Sequence, residues 1–407
     1  MNLQPKIWIV AERPVRLPNA LIAAETLRER FPGGCCFVRD QSPIWDRVQW
    51  PRYARYFDNV CTFAQVRACR GLRDLPRLYR QIRRRKIGVA ALSMNPDTDV
   101  LLCIAGVMGL ANIAATAHPS VPKVLSISAS SYARLTRPAD PDGFRFSTSG
   151  WLQNRVVEPL AGVERTLNLR PRIDPGGDGT RLVRLQKTPD EIFDTIVIAS
   201  INGREMPASG NARFIPARYP SVAELSVFSK STSSGSSKRV LFFGTPFLLV
   251  QNLAPEVYVE HANRSLDFIR RNYPGRDLIY RPHPFETNEA NQLNLNGFRL
   301  ESDGEPAELY FLERFCEIEA VFSVSSTVSR RAMTFGINAY AFWPCFPFSE
   351  TASRFFKKLM GEAPAGFEIR GFAQAPIEYQ SMRTIEPVTR SYGEALKEAV
   401  DLVVTIS

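Results

Sequence analysis

The segment Asp277-Leu-Ile-Tyr-Arg-Pro-His-Pro284 is an apolar run that ends in a histidine between two prolines. Further along the chain, Ala320-Val-Phe-Ser-Val-Ser-Ser-Thr327 is a second apolar run, and it ends in hydroxyl side chains. Both runs are typical of buried strands in a parallel sheet. In an open α/β sheet, ligands bind outside the carboxyl ends of such strands. We therefore expect His283 and the hydroxyls before Thr327 to lie at one binding edge.

A helix signal follows the second run directly. Ser325, Ser326 and Thr327 are residue types that begin helices, and Gly336 is suited to end one. Hydroxyls and unpaired backbone N–H groups at a helix N-terminus form a site for anions. The sequence therefore predicts that a phosphate binds between this helix start and His283.

Strand and helix patterns alternate through both halves of the 407-residue chain. This alternation predicts mostly parallel sheets that are covered by helices on both faces. In the first half, strand patterns cover 7–10, 36–39, 59–63, 99–105, 123–128 and 194–200. A second series begins at Arg239, contains the two runs quoted above and ends with 337–342. The predicted fold class is α/β with two Rossmann-like domains.

Chain length and a serine-rich stretch set the expected domain boundaries. A chain of this length favours two domains, and 226–238 has the composition of a linker. We expect an N-terminal domain over 1–230 and a C-terminal domain over 238–390. A helix over 391–407 follows, and its packing back on the first domain is left open. Two such domains form a central cleft, the usual place for a ligand.

Charge and hydropathy restrict the partners. Lys and Arg number 51 against 41 Asp and Glu, which gives a net charge of +10. The densest basic run, 77–86, has helical spacing and is either a solvated helix face or a surface for an anionic acceptor or the inner membrane. We expect no nucleic acid partner, because no nucleic-acid-binding motif is present. The absence of a long apolar run and of a signal-peptide pattern predicts a cytoplasmic protein, with the inner face of the cytoplasmic membrane as an alternative.

The sequence offers no cofactor motif. The seven cysteines form no CxxC pairs, so neither a zinc site nor a disulfide framework is indicated. Paired carboxylates in 97–99 and 140–142 are typical of caps or turns. A P-loop and a Gly-x-Gly-x-x-Gly fingerprint are both absent. We therefore predict no essential metal and no cofactor.

Other strand ends add candidates for the ligand site. Gly244 and Thr245 follow the first strand of the second half, where a glycine lets backbone approach a ligand closely. Arg281 could pair with a phosphate or a carboxylate, although structural arginines are equally frequent. His283 is favoured over the chain's other two histidines because the flanking prolines, including Pro284, fix the backbone around it.

Three segments resemble the signature motifs of bacterial sialyltransferases and polysialyltransferases. These are Gly-Asp-Gly-Thr180, Tyr-Arg-Pro-His-Pro284 and Ser-Val-Ser-Ser-Thr327, which correspond in order to the D/E-D/E-G, HP and Ser/Thr motifs. Gly177 stands where the family prefers a second carboxylate. The resemblance implies a GT-B architecture, an N-terminal domain that binds the acceptor and a C-terminal domain that binds the nucleotide sugar.

The resemblance also implies a reaction. It is the metal-independent transfer of an acid sugar from a CMP donor to an anionic glycan or glycolipid on the bacterial surface. Asp178 would act as general base, His283 would stabilise the departing phosphate, and the serines would bind the nucleotide. Glu308 matches a Pro-x-Glu that lies near the nucleotide in the family, although a helix-dipole carboxylate is an equal alternative.

Several alternatives stay open. Asp174 and Glu12 compete with Asp178 for the role of base, and Glu12 with its neighbour Arg13 is a candidate for acceptor binding. The HP and serine motifs also resemble those of bacterial Kdo transferases and of CDP-glycerol-type glycerophosphotransferases. A non-catalytic GT-B-like protein that binds a nucleotide or a glycan is the remaining hypothesis.

Overall fold

The computed structural model describes residues 4–11, 14–41, 45, 48, 50–64, 75–104, 110–128, 132, 189–200, 212–228, 238–245, 253–283, 286, 292–302, 305–360, 363–364, 366–373, 375–376 and 390–406. They divide into two compact units. Unit 1 contains the described residues up to Pro220 and those from Arg390 onwards, and unit 2 begins at Ser221.

Unit 1 is built on a seven-stranded parallel sheet with the order β3-β2-β1-β4-β5-β6-β7. Its strands are β1 (Ile7–Val10), β2 (Cys35–Asp40), β3 (Asn59–Phe63), β4 (Val100–Ile104), β5 (Lys123–Ser128), β6 (Thr195–Ser200) and β7 (Arg213–Arg218). The central strands β1, β4 and β5 are buried at every position, as expected for a parallel sheet with both faces covered.

Helices connect and cover these strands. They are α1 (Leu17–Leu27), α2 (Trp50–Ala54), α3 (Leu75–Ala90), α4 (Leu110–Ala117) and the C-terminal helix, which is labelled α10 below (Tyr392–Ile406). The C-terminal helix packs on α1 and on β5, β6 and β7. Its buried Tyr392 hydroxyl lies 2.6 Å from Ser126 Oγ, so the end of the chain is part of unit 1.

Unit 2 is built on a five-stranded parallel sheet with the order β10-β9-β8-β11-β12. The strands are β8 (Arg239–Phe243), β9 (Asp277–Arg281), β10 (Phe298–Leu300), β11 (Ile318–Ser323) and β12 (Asn338–Ala341). Its helices are α5 (Val222–Ser226), α6 (Pro255–Asn272), α7 (Ala307–Arg314), α8 (Thr327–Thr334) and α9 (Glu350–Met360). Stacked aromatic side chains fill the core, with Phe322 in contact with Tyr340 and Phe342.

The two parallel sheets confirm the predicted α/β class. The strand patterns 7–10, 59–63 and 123–128 match their strands at both ends. The sequence analysis did not identify β7, β10, α2, α5 or α9. Within the described helices, none is both long and apolar enough to cross a bilayer.

Candidate functional site

The strand order of unit 2 changes direction between β8 and β11. Chain connections lead away from this point on both sides, so the carboxyl ends of these two strands border a crevice. In open α/β sheets ligands bind outside the strand ends at such a switch point. Phe243 and Ser323 are the paired residues at this place.

Four residues with polar side-chain groups follow the strand ends, each at the same number of residues beyond its strand. The last paired residues across the sheet are Arg281, Phe243, Ser323 and Ala341. Two residues further along the four strands come His283, Thr245, Ser325 and Trp343. We call these four residues the polar rung. Since neighbouring strands lie about 4.8 Å apart, the four chains together span roughly 14 Å across the edge.

Glu286 holds the position of His283. The backbone N–H of His283 donates a hydrogen bond to Glu286 Oε2 at 2.9 Å, and the N–H of Glu286 donates to the His283 carbonyl at 2.8 Å. The other carboxylate oxygen, Oε1, accepts a hydrogen bond from the Tyr280 hydroxyl. The Glu286 carboxylate therefore fixes the backbone of His283 beyond the end of β9. The sequence analysis did not identify Glu286.

Burial lowers the pKa of His283 from 6.5 to about 4. The imidazole is therefore neutral near pH 7 and keeps one N–H that can donate a hydrogen bond. An anion bound beside the ring would favour its protonated form and raise this pKa. The ring can thus stabilise negative charge either as a neutral donor or as an acid.

The Glu286 carboxylate occupies the space where a Cβ at Gly244 would lie. A Cβ at position 244 would lie 2.0 Å from Glu286 Oε2 and 2.6 Å from the Tyr280 hydroxyl. Only glycine leaves room for the carboxylate at this place. The sequence predicted that Gly244 lets backbone approach a ligand, and the structure shows a side chain of the same chain in that space.

Thr245 presents a hydroxyl that the described part of the chain does not satisfy. Thr245 is 4% exposed, and its Oγ1 is buried without a hydrogen-bond partner there. Its carbonyl accepts a hydrogen bond from the Tyr258 hydroxyl at 3.1 Å, which fixes the backbone. Buried polar groups are normally paired, so this hydroxyl needs an explanation. Ser325, across the switch point, is 8% exposed.

Hydrogen bonds to serine side chains stabilise the start of α8. Ser326 is the N-cap, and its Oγ accepts the N–H of Val328 at 3.2 Å. Ser323 Oγ accepts the N–H of Ser326 at 3.1 Å and lies 2.8 Å from Ser329 Oγ. The helix begins at Thr327, and its N-cap Ser326 is one of the three residues that the sequence offered for the helix start. The sequence analysis did not identify Ser323 and Ser329, although each is three residues from the N-cap Ser326 in the sequence.

Arg281 is engaged within unit 2. It is 4% exposed, its Nη2 donates to the Glu305 carbonyl at 2.9 Å, and its guanidinium lies 4.1 Å from the centre of the Tyr310 ring. Glu301 Oε2 lies 3.7 Å from its Nη1. These contacts join the end of β9 to α7. Glu308 lies in the first turn of the same helix and is partly buried.

Trp343 was not predicted. It is 8% exposed, and its indole N–H finds no hydrogen-bond partner in the described ranges. The remaining predicted site residues, Asp178, Glu12, Arg13 and Pro284, lie outside the described residues, as does the side chain of Thr327. Among the described residues, no three His, Cys, Asp or Glu side chains are grouped as a metal ion would require.

The chain resembles solved structures in fold. No protein-family model and no curated protein matches it. The UDP-GlcNAc 2-epimerase from Neisseria meningitidis, bound to UDP-GlcNAc, is 11% identical with a TM-score of 0.51, and the match covers 98% of this chain and 100% of that one. The fold is GT-B.

Two further GT-B comparisons are weaker. The ADP-heptose LPS heptosyltransferase II from E. coli is 12% identical with a TM-score of 0.37, and the match covers 98% of this chain and 99% of that one. The α/β-galactoside α-2,3-sialyltransferase from Photobacterium phosphoreum is 8% identical with a TM-score of 0.42, over 88% of this chain and 95% of that one. At these values neither match carries an argument. The GT-B fold is therefore what the comparisons establish.

Proposed function

We propose that this GT-B protein is a glycosyltransferase whose nucleotide-sugar donor binds at the carboxyl edge of the unit 2 sheet. The observation that carries the proposal is the nearly buried hydroxyl of Thr245, which has no hydrogen-bond partner among the described residues, with Ser325 on the other side of the switch point. A ligand oxygen in the crevice would supply the partner that the described chain does not. The start of α8 follows Ser325 directly.

The chemistry of this edge suits a phosphate. Backbone N–H groups at the start of α8 carry a partial positive charge, which favours an anion. The Ser325 hydroxyl can donate to a phosphate oxygen, while Ser326 keeps the helix start in shape. These groups donate hydrogen bonds to an anion, so the proposed site needs no metal ion.

We assign the stabilisation of the leaving group to His283. As the bond between sugar and phosphate breaks, negative charge grows on the phosphate oxygen. A donor aimed at that oxygen stabilises the transition state more than the ground state. The neutral ring of His283 donates one hydrogen bond to that oxygen, and this hydrogen bond strengthens as the negative charge grows.

The sequence motifs supply the finer part of the proposal. We assign a CMP-activated acid sugar, such as a sialic-acid-like sugar or Kdo, as donor and a bacterial surface glycan as acceptor. Asp178 then removes the proton from the attacking acceptor hydroxyl. These assignments rest on the three motifs in Gly-Asp-Gly-Thr180, Tyr-Arg-Pro-His-Pro284 and Ser-Val-Ser-Ser-Thr327.

A donor screen tests the proposal. The protein is incubated with CMP-sialic acid, CMP-Kdo, UDP-GlcNAc and CDP-glycerol, and both the unfolding temperature and nucleotide release on addition of an acidic glycan are measured. We expect CMP to stabilise the protein and a CMP sugar to release CMP. Release of UDP alone would replace the donor assignment. Release of CMP from CDP-glycerol would favour a glycerophosphotransferase, and binding without any release would favour a non-catalytic protein.

A membrane surface is part of the same proposal. On α3, Arg80, Arg83 and Arg84 are exposed, and Ile87 among them is 60% exposed. An exposed apolar side chain within a basic helix face suits the headgroup region of an anionic membrane. We propose that α3 brings the enzyme to the cytoplasmic face of the membrane. Sedimentation with phosphatidylglycerol vesicles, but not with phosphatidylcholine vesicles, would support this, and Ile87→Ser with Arg84→Ser should abolish it.

A further inference from the structure

Glu286 has a central place in the contacts at the end of β9. We propose that Glu286 is the positioning residue of the donor site: it holds the His283 loop, and it keeps the donor phosphate on the Thr245 and Ser325 side of β8. This inference rests on the proposed function, because it specifies how the same site places a nucleotide donor.

The first part of the inference follows from hydrogen bonds. Glu286 and His283 are joined in both directions, through the N–H of each residue. The Tyr280 hydroxyl ties the same carboxylate back to the strand itself. One side chain therefore joins the backbone of His283 to Tyr280 in β9. Without that side chain, the backbone N–H of His283 would lose this hydrogen bond.

The second part follows from the space over Gly244. Because a Cβ at Gly244 would lie 2.0 Å from Glu286 Oε2, the carboxylate covers the strand end directly. Strand β8 has β9 on one side and β11 on the other. A carboxylate on the β9 side repels a phosphate, whereas the β11 side offers the start of α8 and the Ser325 hydroxyl. The Thr245 hydroxyl at the end of β8 has no partner among the described residues. The phosphate therefore binds on the β11 side.

Three substitutions separate the effect of the Glu286 hydrogen bonds on His283 from the effect of the Glu286 charge on the phosphate. In Glu286→Gln, the amide oxygen can accept from the His283 N–H while the amide nitrogen donates to the Tyr280 oxygen, since a hydroxyl is both donor and acceptor. That variant keeps the turn and loses only the charge. Glu286→Ala loses both. Gly244→Ala places a methyl group where the carboxylate lies, so it should displace Glu286 and resemble Glu286→Ala.

The experiment combines NMR titration of the histidine rings with calorimetric titration of CMP. In Glu286→Ala and Gly244→Ala, we expect the His283 titration midpoint to rise from about 4 towards 6.5, because the released ring becomes exposed to water. In Glu286→Gln, the midpoint should stay near the wild-type value while CMP binds about 3- to 10-fold more tightly, because a like charge is gone. Gly371→Ala is the matched control, since a Cβ there has nothing within 4 Å. It should change neither quantity.

Each half of the inference can fail by itself. An unchanged His283 midpoint in Glu286→Ala would show that Glu286 does not hold the loop. CMP affinity in Glu286→Gln equal to or below that of the wild type would overturn the placement of the phosphate. If Glu286→Ala does not fold, Gly244→Ala decides the first half. A wild-type protein that binds no nucleotide overturns the proposed function and the phosphate placement, while the NMR titration still decides whether Glu286 positions His283.

Discussion

Thr245 and Ser325 lie on opposite sides of the switch point of the unit 2 sheet, each two residues beyond a paired strand residue. Both residues are more than nine-tenths buried, and the Thr245 hydroxyl has no hydrogen-bond partner in the described part of the chain. An unsatisfied buried hydroxyl lowers the free energy of unfolding. The protein therefore gains from the Thr245 hydroxyl only when a ligand pairs with it, which makes this hydroxyl a sensitive reporter of the donor site.

Thr245→Val should separate binding from stability. Valine keeps the shape of threonine and removes the orphan hydroxyl, so we expect the free energy of unfolding to stay the same or to rise by about 1 kcal/mol. The affinity for CMP should fall about 5- to 100-fold, because the ligand loses a buried partner. Urea unfolding and calorimetric titration measure the two effects.

Thr195→Val is the control for this prediction. Thr195 is fully buried in unit 1, and its Oγ1 likewise has no partner among the described residues. Its substitution should change stability in the same direction as Thr245→Val and leave CMP affinity unchanged. Equal CMP affinity in wild type and Thr245→Val would remove Thr245 from the site.

Ser326→Ala removes the N-cap of α8. We expect the free energy of unfolding to fall by about 1 kcal/mol, the usual effect of a lost cap. CMP binding should weaken as well, because the helix start that holds the phosphate loses its shape. Ser221→Ala removes the comparable cap of α5, a capping box with Glu224. If both variants lose stability but neither loses CMP affinity, α8 does not hold the donor.

His283→Gln should reduce turnover about 10²- to 10⁴-fold, the range for a group that donates to developing charge. The Michaelis constant for the donor should change less than turnover does, because the interaction strengthens only as the bond breaks. His118→Gln is a suitable control, since His118 lies in unit 1 and contacts the Val89 carbonyl. Full activity in His283→Gln would show that His283 does not stabilise the leaving group.

His283 also makes stability depend on pH. Its pKa is about 4 in the folded protein and near 6.5 when unfolded, because burial disfavours the charged ring. Between these values the unfolded chain binds more protons, so the free energy of unfolding falls as the pH drops from 6.5 towards 4. His283→Gln should flatten this part of the profile. Urea unfolding at several pH values measures it, and an unchanged slope would contradict the burial of the ring.

Much of the scaffold follows from the sequence, for a physical reason. Strands of a parallel sheet are buried on both faces, so they leave continuous apolar runs such as Val-Leu-Phe-Phe within Arg239–Phe243 and Leu-Ile-Tyr within Asp277–Arg281. Residues at the end of a run then share one edge, which is why the sequence predicts that His283 and Ser325 lie at the same edge of the sheet.

The missed residues act through contacts that no local pattern records. Glu286 matters because its carboxylate fills the space over Gly244, which lies on a neighbouring strand. Trp343 joins the polar rung only because β12 pairs with β11. The short strand β10 has an exposed face and only three residues, so it lacks the apolar run that marks the central strands. Pairing between distant segments decides each of these cases.

The remaining prediction concerns the general base. An attacking acceptor hydroxyl must lose its proton, and a carboxylate within hydrogen-bond reach is suited to take it. The sequence offers Asp178, whose flanking glycines allow close approach of the acceptor, with Asp174 and Glu12 as competitors. Asp178→Asn should abolish transfer while CMP affinity and the free energy of unfolding stay near wild type, because the amide keeps the size of the side chain and cannot act as a base. Asp174→Asn should remain active. If Asp178→Asn transfers sugar at the wild-type rate and Glu12→Gln or Asp174→Asn does not, the base is one of those two carboxylates.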